Sequence, residues 1–375
     1  MPIVAGGLMR ITILQGAFLP VPPLRGGAVE KMWFRLGPEF AARGHAVTHV
    51  SRLCDGLPAT EVISGVRHLR VPGYERPKGT AASLLRDFLY TLRAARRTPA
   101  ADVIVTNTFW APLLLRAASG AIYVDVQRMP KGQMRFYGRA ARLRANSSAV
   151  EAAINRELPS AAPRVRTIPN PLPFVPDRPV KWDAKKRTVL YAGRIHPEKG
   201  IELLLEAWTR GRKAGRLEGW RLELVGPTKV SEGGGGDGWA GALRERFAAP
   251  DVVWTPALYG EAALNRAYEA ARVFVYPSLA ERGETFGLAV LEAMAWGAVP
   301  VVSDLACFRD LVAPGRNGFV FDHRSADAAG ALLDAIESAS GDPARPLAEE
   351  AVRVRETHSS AAIAGQFLDD FARVG

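Results

Sequence analysis

Short apolar runs alternate with longer stretches of helical periodicity along most of this 375-residue chain. In the first half the runs near Ile11–Gln15, Ala46–Ser51, Val103–Thr106, Ile122–Val126 and Arg166–Ile168 read as strands, and the intervals between them as helices. In one interval, Ser83–Arg97, apolar residues fall at Leu84, Leu85, Phe88, Leu89, Leu92 and Ala95 with arginines opposite. That spacing predicts an amphipathic helix whose apolar face covers the sheet, with a helix lying on a membrane as the alternative. A proline-rich stretch, Pro169–Pro179, then reads as a linker. Strand and helix resume at Thr188, pass a flexible Gly233–Gly236 loop and close with a helix over Ser360–Arg373. The alternation predicts an α/β chain with two doubly wound, Rossmann-like halves, residues 1–172 and 173–357, and a terminal segment 358–375.

At 48% hydrophobic residues the chain has ample material for two cores. Its two cysteines, Cys54 and Cys307, fall in different halves, so they form no disulfide framework and fit a reducing, cytoplasmic setting. No apolar run approaches the ~18 residues that span a bilayer, and Met1–Met9 is too short and uncharged for a signal peptide. Charge divides unevenly: residues 1–172 hold 24 Lys and Arg against 10 Asp and Glu, and residues 173–375 hold 25 against 28. The basic half is expected to meet an anionic surface or acceptor, such as inner-leaflet lipid, a lipid-linked pyrophosphate or an acidic polysaccharide. Nucleic acid is disfavoured because no zinc spacing or nucleic-acid-binding motif accompanies the charge. The acid-poor run from Arg128 to Arg144 is the expected point of anionic contact.

Two segments of the second half carry candidate chemistry. In Glu284-Thr-Phe-Gly-Leu-Ala-Val-Leu-Glu292, helix formers follow Gly287 and Gly297 supplies a stop. Glu284 and Glu292 thus flank the first turns of a helix. The N–H groups of Thr285, Phe286, Gly287 and Leu288 lie at its positive end, an arrangement suited to an oxygen-rich, anionic ligand. Carboxylates accept from vicinal diols, so a sugar and a ribose would satisfy the two acids. Upstream, the strand Thr188–Ala192 runs into Gly193-Arg194-Ile-His196-Pro-Glu198-Lys199-Gly200, and a helix follows with apolar Ile201, Leu204, Leu205 and Trp208. Arg194 and Lys199 therefore project from one loop at the carboxyl edge of a sheet, where two cations favour a diphosphate. His196 shares that loop, whereas His45 and His49 flank a strand pattern and read as structural.

These segments, with Gly26-Gly27-Ala-Val-Glu30, Arg43-Gly-His-Ala-Val, Ala145-Asn-Ser147 and Ile168-Pro-Asn170, resemble the retaining glycosyltransferases of family 4 along nearly the whole chain. The resemblance implies a GT-B architecture in which two Rossmann-like domains face a central cleft and the terminal helix crosses back to the first. It implies a nucleotide-sugar donor, a glycan or lipid-linked acceptor in cell-surface polysaccharide or glycolipid biosynthesis, and no cofactor. Arg194 and Lys199 would hold the donor diphosphate, Glu292 the ribose, and Glu284 with the N–H groups of Phe286, Gly287 and Leu288 the transferred sugar. Gly26 and Gly27 would admit the N-terminal backbone close to the phosphates. Where many members carry an acceptor-side histidine this chain has Asp125, which with Arg128 is the acceptor-side candidate. The base pocket is expected around Gly226-Pro227 and Pro256–Gly260. No Asp-x-Asp pair is present to hold a metal, so Arg194 and Lys199 would supply the charge and transfer would be metal-independent. The other classes that share the fold are a sugar-nucleotide epimerase, a phosphorylase and a non-catalytic sugar-nucleotide-binding subunit. The implied location is cytoplasmic, peripheral on the inner face of the membrane.

Overall fold

In the computed structural model, which describes residues 7–116, 119–258 and 260–374, the apolar runs form strands of two separate sheets. The chain divides into Met1–Pro173 with His358–Gly375, and Phe174–Thr357. The first unit holds β1 (Arg10–Leu14), β2 (Ala46–Leu53), β3 (Thr60–Ile63), β4 (Val66–Pro72), β5 (Val103–Thr106), β6 (Ala121–Val126), β7 (Arg142–Ala145) and β8 (Val165–Thr167). Their order is β3-β4-β2-β1-β5-β6-β7-β8, parallel throughout except for the β3–β4 hairpin. Helices α1 (Ala28–Ala42), α2 (Thr80–Arg97), α3 (Ala111–Leu114) and α4 (Ser148–Glu157) connect them. All four residues of β5 are buried, as a strand covered on both faces requires.

The second unit is a parallel sheet of β9 (Lys186–Ala192), β10 (Arg221–Val225), β11 (Val252–Thr255), β12 (Ala271–Tyr276), β13 (Val299–Ser303) and β14 (Phe319–Phe321). Its helices are α5 (Ile201–Lys213), α6 (Asp237–Arg246), α7 (Glu261–Ala270), α8 (Leu288–Ala295), α9 (Ala328–Ser340), α10 (Arg345–Ala351) and α11 (Val354–Thr357). The strand order β11-β10-β9-β12-β13-β14 runs outward one way from β9 through β11 and the other way from β12. The winding therefore reverses between β9 and β12, the place where an open α/β sheet leaves a crevice at its carboxyl edge.

The last helix, α12 (Ser360–Phe371), belongs to the first unit. The Ser359 hydroxyl accepts from Ala362 N at 3.1 Å and so caps it. Phe367 lies 5.0 Å from the Trp33 ring and Phe371 4.9 Å from that of Tyr123. Asp370 accepts from the Tyr123 hydroxyl at 2.9 Å and pairs with Arg142 at 2.9 Å.

Two features differ from the sequence expectation. In α2 the residues turned to the sheet are Asp87, Tyr90, Thr91 and Ala94, while Leu84, Leu85 and Leu89 are exposed. The apolar stripe does not cover the sheet; the polar-looking face does, with the Thr91 hydroxyl bonded back to Asp87 O and the buried Asp87 carboxyl raised to about 6 by that burial. The basic run from Arg128 to Arg144 is likewise not one solvated surface. Its end is β7, where Leu143 and Ala145 enter the core and Arg142 and Arg144 alternate with them, each held by a buried carboxylate.

Candidate functional site

Each loop leaving the carboxyl edge of the second sheet near the reversal point carries charge. The loop after β9 holds Arg194 and Lys199, the loop after β10 holds Gly233–Gly236, and the loop after β12 holds Glu284 before α8 begins at Leu288. Backbone hydrogen bonds bind the three together. Gly193 N donates to Val225 O at 2.9 Å, Ile195 N to Pro227 O at 3.0 Å, Gly235 N to Ile195 O at 2.8 Å, and Leu279 N to Glu198 O at 2.8 Å. Two glycines permit this closeness. A Cβ on Gly200, whose φ is +69°, would lie 2.0 Å from Pro277 O, and one on Gly226 would lie 1.8 Å from Gly193 O.

Lys199 and Glu284 meet within this frame: the ammonium donates to Oε2 at 2.6 Å, and both side chains are largely buried. Lys199 also sits 5.5 Å above the Tyr276 ring, which stacks 5.6 Å from Tyr191. The Tyr191 hydroxyl donates to Arg194 O at 2.8 Å, so the aromatic pair supports both cations. Burial drives both phenols well above their ordinary range, which keeps them neutral donors. Arg194 is more exposed; its guanidinium donates to Gly233 O at 2.8 Å and Glu198 Oε1 at 2.6 Å. His196 accepts from Glu198 N at 3.3 Å and caps the short turn ahead of Lys199.

Glu284 lies in the loop ahead of α8. Glu292 lies inside the helix and accepts from the Tyr268 hydroxyl at 2.9 Å, which fixes one carboxylate oxygen. Gly287 begins the helix with φ +86°, and Phe286 is buried beside it. The amides of Gly287 and Leu288 open the helix, where the intrahelical ladder supplies no acceptor. Arg194, Lys199, Glu284, Glu292, Phe286, Gly287 and Leu288 are thus contributed by the loops after β9 and β12 and by α8 itself. The tyrosines were not read from the sequence, although Tyr191 and Tyr276 stand one residue from and at the ends of adjacent strands. Of the expected base-pocket segments, Gly226-Pro227 follows β10 and Pro256–Leu258 follows β11; Tyr259 lies outside the described residues.

In the first unit Gly26 and Gly27 precede α1, with φ +79° and +100°. The φ of +100° calls for glycine at position 27, whereas the Glu30 carboxylate that a Cβ would meet there sits at the end of a flexible side chain. Arg128 is exposed just beyond β6. Asp125, the acceptor-side candidate, has a side chain of 0% exposure within the first unit. Trp33 Nε1 donates to it at 2.7 Å, Arg144 Nη1 at 2.7 Å and Gln127 Nε2 at 2.9 Å. A carboxylate buried in β6 needs a counter-ion, and the neighbouring strand β7 supplies Arg144.

The profile of glycosyl transferases group 1 matches residues 186–340. The matched stretch contains every candidate residue of the second unit. The chain is similar to the GDP-mannose-dependent alpha-mannosyltransferase of Mycolicibacterium smegmatis, 34% identical over 142 residues that cover 38% of this chain and 32% of that protein. It is also similar to glycogen synthase 2 of Methylococcus capsulatus, 30% identical over 191 residues that cover 47% and 37%. The chain spans about a third of the length of such curated relatives. Sucrose-phosphate synthase from Thermosynechococcus elongatus superposes with a TM-score of 0.70 at 22% identity, covering 96% of this chain and 97% of that one. Anabaena HepE in complex with UDP and glucose gives 0.68 at 17%, covering 96% and 98%. The fold is GT-B, with two parallel-sheet α/β units.

Proposed function

We propose that this protein is a retaining glycosyltransferase that moves a sugar from a nucleotide-sugar donor to a glycan or lipid-linked acceptor in cell-surface polysaccharide or glycolipid synthesis. The observation that carries the reading is the convergence of Arg194, Lys199 and Glu284 at the carboxyl edge of the second sheet, within the matched group 1 stretch, at the point where the strand order reverses. The GDP-mannose dependence of one relative and the UDP held by a solved neighbour support a nucleoside diphosphate there.

In this reading Lys199 and Arg194 neutralise the charge that grows on the diphosphate as the glycosidic bond breaks. Both are held before the donor arrives, so little reorganisation accompanies the step. Glu284 orients Lys199 and accepts from hydroxyls of the transferred sugar, with the amides of Phe286, Gly287 and Leu288 alongside. Glu292, fixed by Tyr268, accepts from the ribose. The acceptor attacks from the face the nucleotide leaves and its proton passes to a donor phosphate oxygen, so no protein nucleophile takes part. The two cations stand in for a metal. Gly26 and Gly27 allow close approach of the backbone to the donor phosphates, and Arg128 contributes on the acceptor side. The location is cytoplasmic and peripheral on the membrane; no helix among the described residues is long and apolar enough to cross one.

Thermal-shift screening of UDP-, GDP-, ADP- and dTDP-sugars identifies the donor. Product NMR then tests the chemistry: an anomeric configuration unchanged from the donor supports retention, and an inverted one refutes it.

A further inference from the structure

The outward stripe of α2 is one end of a longer apolar strip. Leu84, Leu85 and Leu89 are 37%, 59% and 39% exposed. Phe88 beside them packs 5.1 Å from Trp110, whose Nε1 donates to Leu84 O at 2.9 Å. Trp110 lies 4.9 Å from Phe109, and Phe109 lies 6.4 Å from Phe136, which is 49% exposed. Leu113 of α3, 42% exposed, follows Trp110. Three separate chain segments thus join through aromatic contacts into one surface within the first unit.

Charge around this strip is predominantly basic. Arg96 and Arg97 end α2, and Arg135 and Arg139 flank Phe136; all four are exposed, and none forms an ion pair among the described residues. The Arg135 guanidinium lies over the Phe136 ring at 5.1 Å. The only acid of α2 is Asp87 and the only acid between Phe109 and Arg139 is Asp125, and both are buried. Exposed leucine and aromatic side chains beside four exposed, unpaired arginines match a bilayer interface of anionic lipid, where apolar groups enter the acyl boundary and cations meet headgroups; the nearby Glu75 is already paired with Arg25 and Arg52. A second copy of so basic a unit would bring like charge against like.

We infer that the strip formed by Leu84, Leu85, Leu89, Trp110, Leu113 and Phe136 inserts into anionic membrane, with Arg96, Arg97, Arg135 and Arg139 on the headgroups. This deepens the membrane part of the proposed function and rests on it, and is independent of the donor site. It also moves the contact from the Arg128–Arg144 run as a whole to α2, α3 and the turn at Phe136.

The test is co-sedimentation of the full chain with vesicles of phosphatidylcholine alone and of phosphatidylcholine with phosphatidylglycerol. The wild type is compared with Leu84→Ser/Leu85→Ser/Phe136→Ser and with Arg96→Gln/Arg97→Gln, all checked for an unchanged melting temperature. The wild type should prefer the anionic vesicles and keep a bound fraction at about 1 M salt, where the Debye length is about 3 Å. The arginine variant should lose the lipid preference but keep that fraction. The serine variant should partition at least about tenfold more weakly and lose the salt-resistant fraction. Binding by the serine variant equal to wild type, or no binding by the wild type, overturns the inference. Sedimentation equilibrium showing a wild-type dimer that the serine variant disperses would assign the strip to a second copy and overturn it as well. Nucleotide-sugar binding, measured on the same samples, reports the donor site separately.

Discussion

Lys199 Nζ and Glu284 Oε2 lie 2.6 Å apart although 85 residues separate them in the chain. The pair forms because β9 and β12 are neighbours in the sheet but not in sequence, so their following loops share one edge. The lysine is thereby fixed before any ligand binds, and so is the carboxylate that faces it.

Removing one member of this pair should leave the other poorly solvated. Lys199→Ala is expected to destabilise the second unit by about 3 kcal/mol and to weaken donor binding. Adding Glu284→Gln should restore much of the stability and none of the affinity. Denaturant melts alongside donor titration check this; affinity that recovers together with stability would reduce Lys199 to a structural role.

Asp125 behaves differently. Asp125→Ala leaves Arg144 buried without its counter-ion, so the first unit should lose about 3 to 5 kcal/mol while the donor affinity of the second unit stays unchanged. A stable Asp125→Ala protein with altered acceptor preference would return this residue to the acceptor side.

Acid should destabilise the first unit. His49 and His68 stack at 5.3 Å, and burial lowers both, His68 to about 4; burial also lowers His358 to about 4. The unfolded chain binds more protons than the folded one between pH 6.5 and about 4, so stability falls as the pH drops through that window. Asp87, raised to about 6, and Glu30, raised by burial, act the other way above their unfolded values, while His45, also lowered by burial, adds to the three histidines. His68 alone contributes on the order of 3 kcal/mol at ~1.4 kcal/mol per pH unit. Melting temperature followed across this range should fall in the wild type and fall less in His68→Phe; parallel curves would refute the assignment.

Activity should survive EDTA, since Arg194 and Lys199 supply the charge. Transfer that stops on chelation and returns only with Mg²⁺ or Mn²⁺ contradicts that account.

The charges gathered at the carboxyl edge of the second sheet, Arg194, Lys199 and Glu284, were legible by type and spacing, because loop charges after apolar strands have few structural uses; Glu292, in α8, was legible by its spacing from Glu284. Tyr191 and Tyr276, in strands, and Tyr268, in α7, were not, since buried aromatic residues look like core until a neighbouring element brings a charge to them. In β7 the alternation Arg-Leu-Arg-Ala was present, but its cations suggested solvent; their partners Asp370 and Asp125 lie 228 and 19 residues away. Periodicity located α2 and misjudged its orientation: Asp87, Tyr90, Thr91 and Ala94 face inward, with the Thr91 hydroxyl bonded to Asp87 O, and the leucines lie outside. The hairpin of β3 and β4 was missed for a similar reason: Arg67, His68 and Arg70 interrupt its apolar pattern, and Arg70 is buried against Val21 O and Glu61.

The central claim, that the loop after β9 grips a donor diphosphate, is tested most directly by calorimetric titration of the best-binding nucleotide sugar into the wild type and into Arg194→Ala/Lys199→Ala. Each lost charge-assisted bond is worth about 1.5 to 3 kcal/mol, so the double variant should bind at least about a hundredfold more weakly. A folded double variant that binds with wild-type affinity would contradict the account.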